Sequence, residues 1–164
     1  MVPKVGDVVF IDTNVLLTAT EESRPNHEAA HRLIAESDRS GMHLAVSGQI
    51  LREYMVVATR PVDVNGLGLN PRDAIGNVEA FLGFLRLYDE TEAVADKLRR
   101  LGQKHGLQGK RFHDANIVAT MSVHGIRVLV SDNFKDFAVF DDIDAVALSD
   151  AVAASHREPK RPSA

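Results

Sequence analysis

Val8 to Leu17 reads VVFIDTNVLL: four apolar residues, an acid, Thr13 and Asn14, then a second apolar run. An apolar run of four that stops at a polar break reads as a short buried strand, Val8 to Ile11. The apolar residues from about Val15 read as a helix. Asp12 then stands at the carboxyl end of a strand, the place where open α/β sheets bind their ligands.

The rest of the chain repeats this alternation. A helix is expected from about Pro25 to Ser37, with Ala30, Leu33 and Ile34 on one face, and Gly41 breaks it. HLAVS, His43 to Ser47, reads as the next strand, and Ser47 can cap a helix from Gln49 to Thr59. Arg60 to Pro71 is turn-rich and reads as a surface loop. Ile75, Val78, Leu82 and Leu85 have helical spacing, which predicts a helix over Asp73 to Leu85. Thr91 can cap another, with Val94, Leu98 and Leu101 inward and Gly106 as its stop. Phe112 to Val123 is a further helix closed by Gly125. RVLVS, Arg127 to Ser131, is a strand, and Asp144 to Ala147 a short one. Strands alternating with helices predict an α/β domain with a mainly parallel central sheet.

At 164 residues one domain is expected, spanning 1–150. The polar, Pro-containing residues 151–164 are expected to form a disordered tail. The 45% hydrophobic content is enough to build a core. No apolar run approaches the roughly 20 residues a membrane helix needs, and MVPKVGD lacks the apolar region of a signal peptide. With no cysteine, disulfides and thiolate metal sites are excluded. These features fit a cytoplasmic protein without membrane contact. A formal net charge of -4 argues against indiscriminate nucleic-acid binding, so any such contact must be built locally.

Four acids fall where a sheet would gather them. Asp12 and Asp132 each follow an apolar strand. Glu53 lies three residues after Ile50 and four before Val57, on the core-facing side of its helix. Asp114 precedes Ile117, Val118 and Met121 at helical spacing, near a helix N-terminus that favours negative charge. Taken singly, each has an ordinary explanation: a turn for Asp12 and Asp132, an ion pair with Arg52 or Arg60 for Glu53, a helix-end charge for Asp114. Together they describe converging carboxylates, which stay ionised only around a cation. Oxygen donors select Mg²⁺ or Mn²⁺ over zinc, and such an ion suits phosphodiester hydrolysis.

DTNVLL around Asp12, ILREYMVVATRP around Glu53, HDANIVATM around Asp114 and LVSDNFKDF around Asp132 resemble the ordered motifs of the PIN-domain family, most closely its VapC-type toxins of bacterial toxin–antitoxin pairs. The resemblance runs from about Val8 to Phe140. It implies a three-layer α/β/α fold, a Mg²⁺-dependent endoribonuclease, a cognate antitoxin protein and a homodimer. Asp12, Glu53 and Asp114 match three acidic positions. Strict alignment puts Asn133 at the fourth, where Asp132 is the more capable ligand and Asp136 lies close by. Asp12, Asp114 and Asp132 are thus the expected metal ligands. Thr13 and Asn14 match polar residues that position water or phosphate.

An RNase with an acidic centre needs cations around it. Lys110 and Arg111, beside the Asp114 motif, and Arg52 and Arg60 are candidates for the phosphate backbone. Lys97 to Arg100 read as a solvated helix face.

Other readings compete. HEAAH, with His27, Glu28 and His31, matches the H-E-x-x-H of zinc peptidases, but no motif supplies a third ligand. A phosphatase of the haloacid dehalogenase type wants Asp-x-Asp where this chain has Asp12-Thr13-Asn14. A non-toxin PIN nuclease and a catalytically weak RNA-binding PIN module are the remaining alternatives.

Overall fold

The computed structural model describes residues 3–4 and 6–155. Strands β1 (Val8–Ile11), β2 (His43–Ser47), β3 (Arg86–Tyr88), β4 (Val128–Val130) and β5 (Asp144–Val146) form one sheet in the order β3-β2-β1-β4-β5. Every neighbouring pair is parallel, so the expected mainly parallel sheet is wholly parallel. Parallel strands need covered faces, which is why the inner ones read as unbroken apolar runs. Val9, Phe10, Ile11, Leu129 and Val130 are fully buried.

Helices α1 (Thr13–Thr20), α2 (His27–Ala35), α3 (Ser37–Ser40), α4 (Gly48–Thr59), α5 (Pro71–Leu82), α6 (Glu92–His105), α7 (Arg111–Val123) and α8 (Leu148–Ser155) connect and follow the strands. They pack in two groups. α1 meets α2 and α4, α2 meets α8, and α4 meets α5, while α6 meets α7. With the sheet between them these make a three-layer α/β/α fold. Among the described residues no helix is long and apolar enough to cross a membrane.

The chain adds β2 and β3 on one side of β1, then returns to place β4 on the other. The point where the direction reverses lies between the carboxyl ends of β1 and β4. Ile11 pairs with Val130 there, and the Asp12 amide donates to the Val130 carbonyl at 3.0 Å. The crevice at such a reversal is where doubly wound sheets hold ligands.

Some expected boundaries move. The helix expected over Asp73 to Leu85 runs Pro71–Leu82, started by Asn70, whose side chain accepts from the Asp73 amide, and by Pro71 in its first turn. Ile75 and Leu82 consequently face solvent, while Leu85 is buried beyond the helix end. The segment after it makes the edge strand β3, which the sequence does not announce because its three residues are largely exposed. The helix expected over Pro25 to Ser37 begins at His27 and hands over to the one-turn α3. Ser47 and Thr91 occupy cap positions but make no side-chain cap bond. At the far end α8 continues to Ser155 and buries Ala151, so residues 151–155 are helical rather than tail. The rest of the expected tail, 156–164, lies outside the described residues.

Candidate active site

Asp12 caps α1. Its Oδ1 accepts from the Thr13 amide at 2.7 Å, and its Oδ2 from the Ser131 hydroxyl at 2.7 Å and from Asn14 Nδ2 at 3.1 Å. Only 9% of the residue is exposed. Burial, chiefly, pushes its carboxyl up to about 6, and the charges of Glu53 and Asp114 push the same way against the Ser131 and Thr13 hydrogen bonds.

Glu53 comes from α4. Its Oε2 accepts from the Thr13 hydroxyl at 3.1 Å and its Oε1 from Gln49 Nε2 at 2.8 Å. His113 Nδ1 lies 3.4 Å from the same Oε1. Asp114, in the first turn of α7, is paired with Arg111 at 3.2 Å. Burial raises its carboxyl against the pull of Arg111, and Asp136 and Glu53 raise it further.

These groups open into a cleft of about 550 Å³ lined by Thr13, Glu53, His113, Asp114, Asn133 and Asp136, with Arg52, Arg60 and Lys110 also in its walls. Glu53 and Asp114 line this cleft, and Asp12, which does not, is joined to Glu53 through Thr13 and feels the charge of both. Asp132 is placed differently: its Oδ2 accepts from the Thr18 hydroxyl at 3.3 Å, along α1, and Asn133 and Asp136 face the cleft in its stead. Thr13 and Asn14 act on protein groups. Thr13 holds Glu53, and Asn14 ties together Asp12, the Ser131 hydroxyl and the Asp132 amide.

The cations sort clearly. Lys97 pairs with Asp142, Lys104 with Asp141 and Arg99 with Asp96, away from the cleft. Arg111 donates to Asp114 and to the Asp136 carbonyl and lies over the Phe140 ring, so it braces the site instead of reaching out of it.

Gln49 is the site residue that the sequence reading missed. It is 1% exposed. Its Nε2 donates to Glu53 and to the His113 carbonyl at 2.9 Å, and its Oε1 accepts from Asn116 at 2.6 Å. Glu90 accepts from the Gln49 amide at 2.6 Å and from Asn116. The available signal was spacing: Gln49 precedes Glu53 by four residues on one helix.

HEAAH does not assemble. His27 Nδ1 is hydrogen-bonded to the Thr18 carbonyl at 2.9 Å, and the two histidine rings are 6.1 Å apart. Among the described residues no three His, Cys, Asp or Glu groups are drawn together as a ready metal cage, here or in the cleft. Of the acids, Asp12, Glu53 and Asp114 are each tethered by their own hydrogen bonds.

A model of the PIN domain matches residues 9–145. The chain belongs to the PIN domain family. Solved structures of this fold agree. VapBC2 from Rickettsia felis, bound to a promoter DNA fragment, superposes with a TM-score of 0.63 at 16% identity over 85% of this chain and 98% of that one. A toxin–antitoxin complex from Klebsiella pneumoniae gives 0.59 at 21% identity, covering 85% and 97%. VapC20 of Mycobacterium tuberculosis, a toxin that cleaves the sarcin–ricin loop, gives 0.61 at 19% identity, covering 82% and 98%. No curated protein matches this chain. In this PIN domain the matched span runs from within β1 into β5 and so contains every cleft residue.

Proposed function

We propose that this PIN domain is a Mg²⁺-dependent endoribonuclease and the toxin of a toxin–antitoxin pair. The observation that carries the reading is Asp12, a buried carboxyl at the sheet's reversal point, raised to about 6 with two further carboxylates close enough to act on it. Such a group is costly unless a cation shares its charge. The donors at hand are oxygens, the chain has no thiol, and that set fits Mg²⁺ or Mn²⁺.

Asp12 and Asp114 would hold the ion, with Asn133 or Asp136 in the fourth position that Asp132 does not face. Bound there, a divalent ion acidifies water and neutralises charge on a phosphoryl oxygen. Glu53, fixed at both oxygens by Thr13 and Gln49, orients the attacking water. Arg52, Arg60 and Lys110 hold substrate phosphates. The toxin complexes among structures of this fold support an antitoxin partner, and the family resemblance supports a homodimer.

The purified protein should cut RNA with Mg²⁺ or Mn²⁺ and stop with chelator. Asp12→Asn and Asp114→Asn should each reduce cutting to background while circular dichroism stays native. Full activity in either variant overturns the mechanism. Inhibition of cutting by the product of an adjacent reading frame tests the antitoxin, and light scattering tests the dimer.

A further inference from the structure

We propose that the RNA leaves the acidic centre as a single strand running along α4, with Arg52 and Arg60 holding two separate phosphates of that strand. The inference rests on the nuclease reading above.

The two walls of the cleft are unlike. The α7 wall and the turn after β4 bring Asp114 and Asp136 with a single lysine, Lys110, and the arginine there, Arg111, is bonded to both acidic residues. A phosphate chain on that side meets negative charge. The α4 wall brings Arg52 and Arg60, neither of which has an ion-pair partner among the described residues. A duplex carries two backbones and needs cations for both. Two arginines on the α4 wall, against one lysine and two acids on the other, suit one strand lying along α4.

Spacing gives the direction. Arg52, Val56 and Arg60 stand at i, i+4 and i+8, so the arginines are two turns apart, about 12 Å along the axis. Glu53 lies one residue from Arg52 and seven from Arg60. The cations therefore form a line leading away from the acids, not a cluster on one anion. Val56, 52% exposed, sits between them as an apolar seat for ribose or a base edge.

The far end of this line is held firmly. The Arg60 carbonyl accepts from the Gly68 amide at 2.9 Å, and the Leu67 and Leu69 amides donate to Val57 and Ala58. Gly66 passes so close that a Cβ there would come within 1.9 Å of the Arg60 carbonyl oxygen. The turn-rich loop thus buttresses the backbone from which Arg60 extends.

The test uses an RNA with one mapped cut, shortened nucleotide by nucleotide from each end. Arg60→Gln should raise KM about tenfold on the full RNA and leave kcat and the melting temperature unchanged. The penalty should vanish on shortening from one end and persist on shortening from the other, and Arg60→Lys should restore most of the loss. In chelator, where the RNA stays intact, fluorescence anisotropy should show the salt slope of binding fall by about 0.7 in Arg60→Gln. An unchanged slope, or a penalty indifferent to which end is shortened, overturns the track. Wild-type protein that binds RNA with this slope but never cuts it overturns the nuclease reading and leaves the track standing.

Discussion

Asp12 keeps its negative charge at the expense of the fold. Its folded value of about 6 lies above the ordinary 3.8 of an aspartate, so the native state binds this proton more tightly than the unfolded chain. The stability this contributes is complete below about pH 4 and is lost as pH rises through about 6. A roughly hundredfold difference in proton affinity corresponds to about 3 kcal/mol. Asparagine cannot ionise, and its one oxygen can keep the Thr13 amide bond, while its Nδ2 replaces the oxygen that accepts from Ser131, a loss of about 1 kcal/mol that offsets only part of the relief. Metal-free Asp12→Asn should therefore melt several degrees above wild type near pH 7.5, with the gap closing near pH 4.5. A gap of the opposite sign, or one indifferent to pH, would refute this. Asp12 was legible because a strand end has one direction, and Glu53 and Asp114 because a helix face has one period. The fourth position was not legible. After β4 the chain enters a tight turn in which Asp132 accepts from the Thr18 hydroxyl while Asn133 and Asp136 line the cleft.

Among elements, β1, β2 and β4 could be read directly, since inner parallel strands must be apolar throughout. β3 could not, because an edge strand with half-exposed Leu87 carries no such demand. Nor could the part played by the loop after α4. Its glycines looked like generic turn residues, but Gly66 is required by contact with the Arg60 backbone. Gly76, in the middle of α5, is exposed, and a methyl group added there would meet nothing within 4 Å. The two should respond oppositely to alanine. Gly76→Ala should stabilise by about 0.5–1 kcal/mol through helix propensity. Gly66→Ala should destabilise by about 1–3 kcal/mol, because backbone must move to admit the methyl group. Denaturant midpoints read both signs. Equal shifts for the pair would mean that the loop does not rest on α4 as described.

At the scale of the whole molecule, overall acidity and a local cation line are reconciled by position. Lys97, Arg99 and Lys104 pair off elsewhere on the surface, and Arg52 and Arg60, without ion-pair partners among the described residues, stand beside the acids. On the proposed metal-dependent reading, the same arrangement would couple folding to a divalent ion. A cation that binds only the folded cleft stabilises it by mass action, about 2.7 kcal/mol at roughly a hundred times its Kd. Its binding competes with the proton on Asp12, so the gain should be large above about pH 6 and fade below it as the carboxyl protonates. Mg²⁺ or Mn²⁺ should therefore raise the melting temperature near pH 7.5, chelator should reverse the rise, and Asp12→Asn should lose most of it. Because the variant also removes the charge that burdens the metal-free fold, its melting curve with and without the ion should nearly coincide, above metal-free wild type. A cation-induced rise that persists undiminished at pH 5, or in Asp12→Asn, would place the ion outside this cleft.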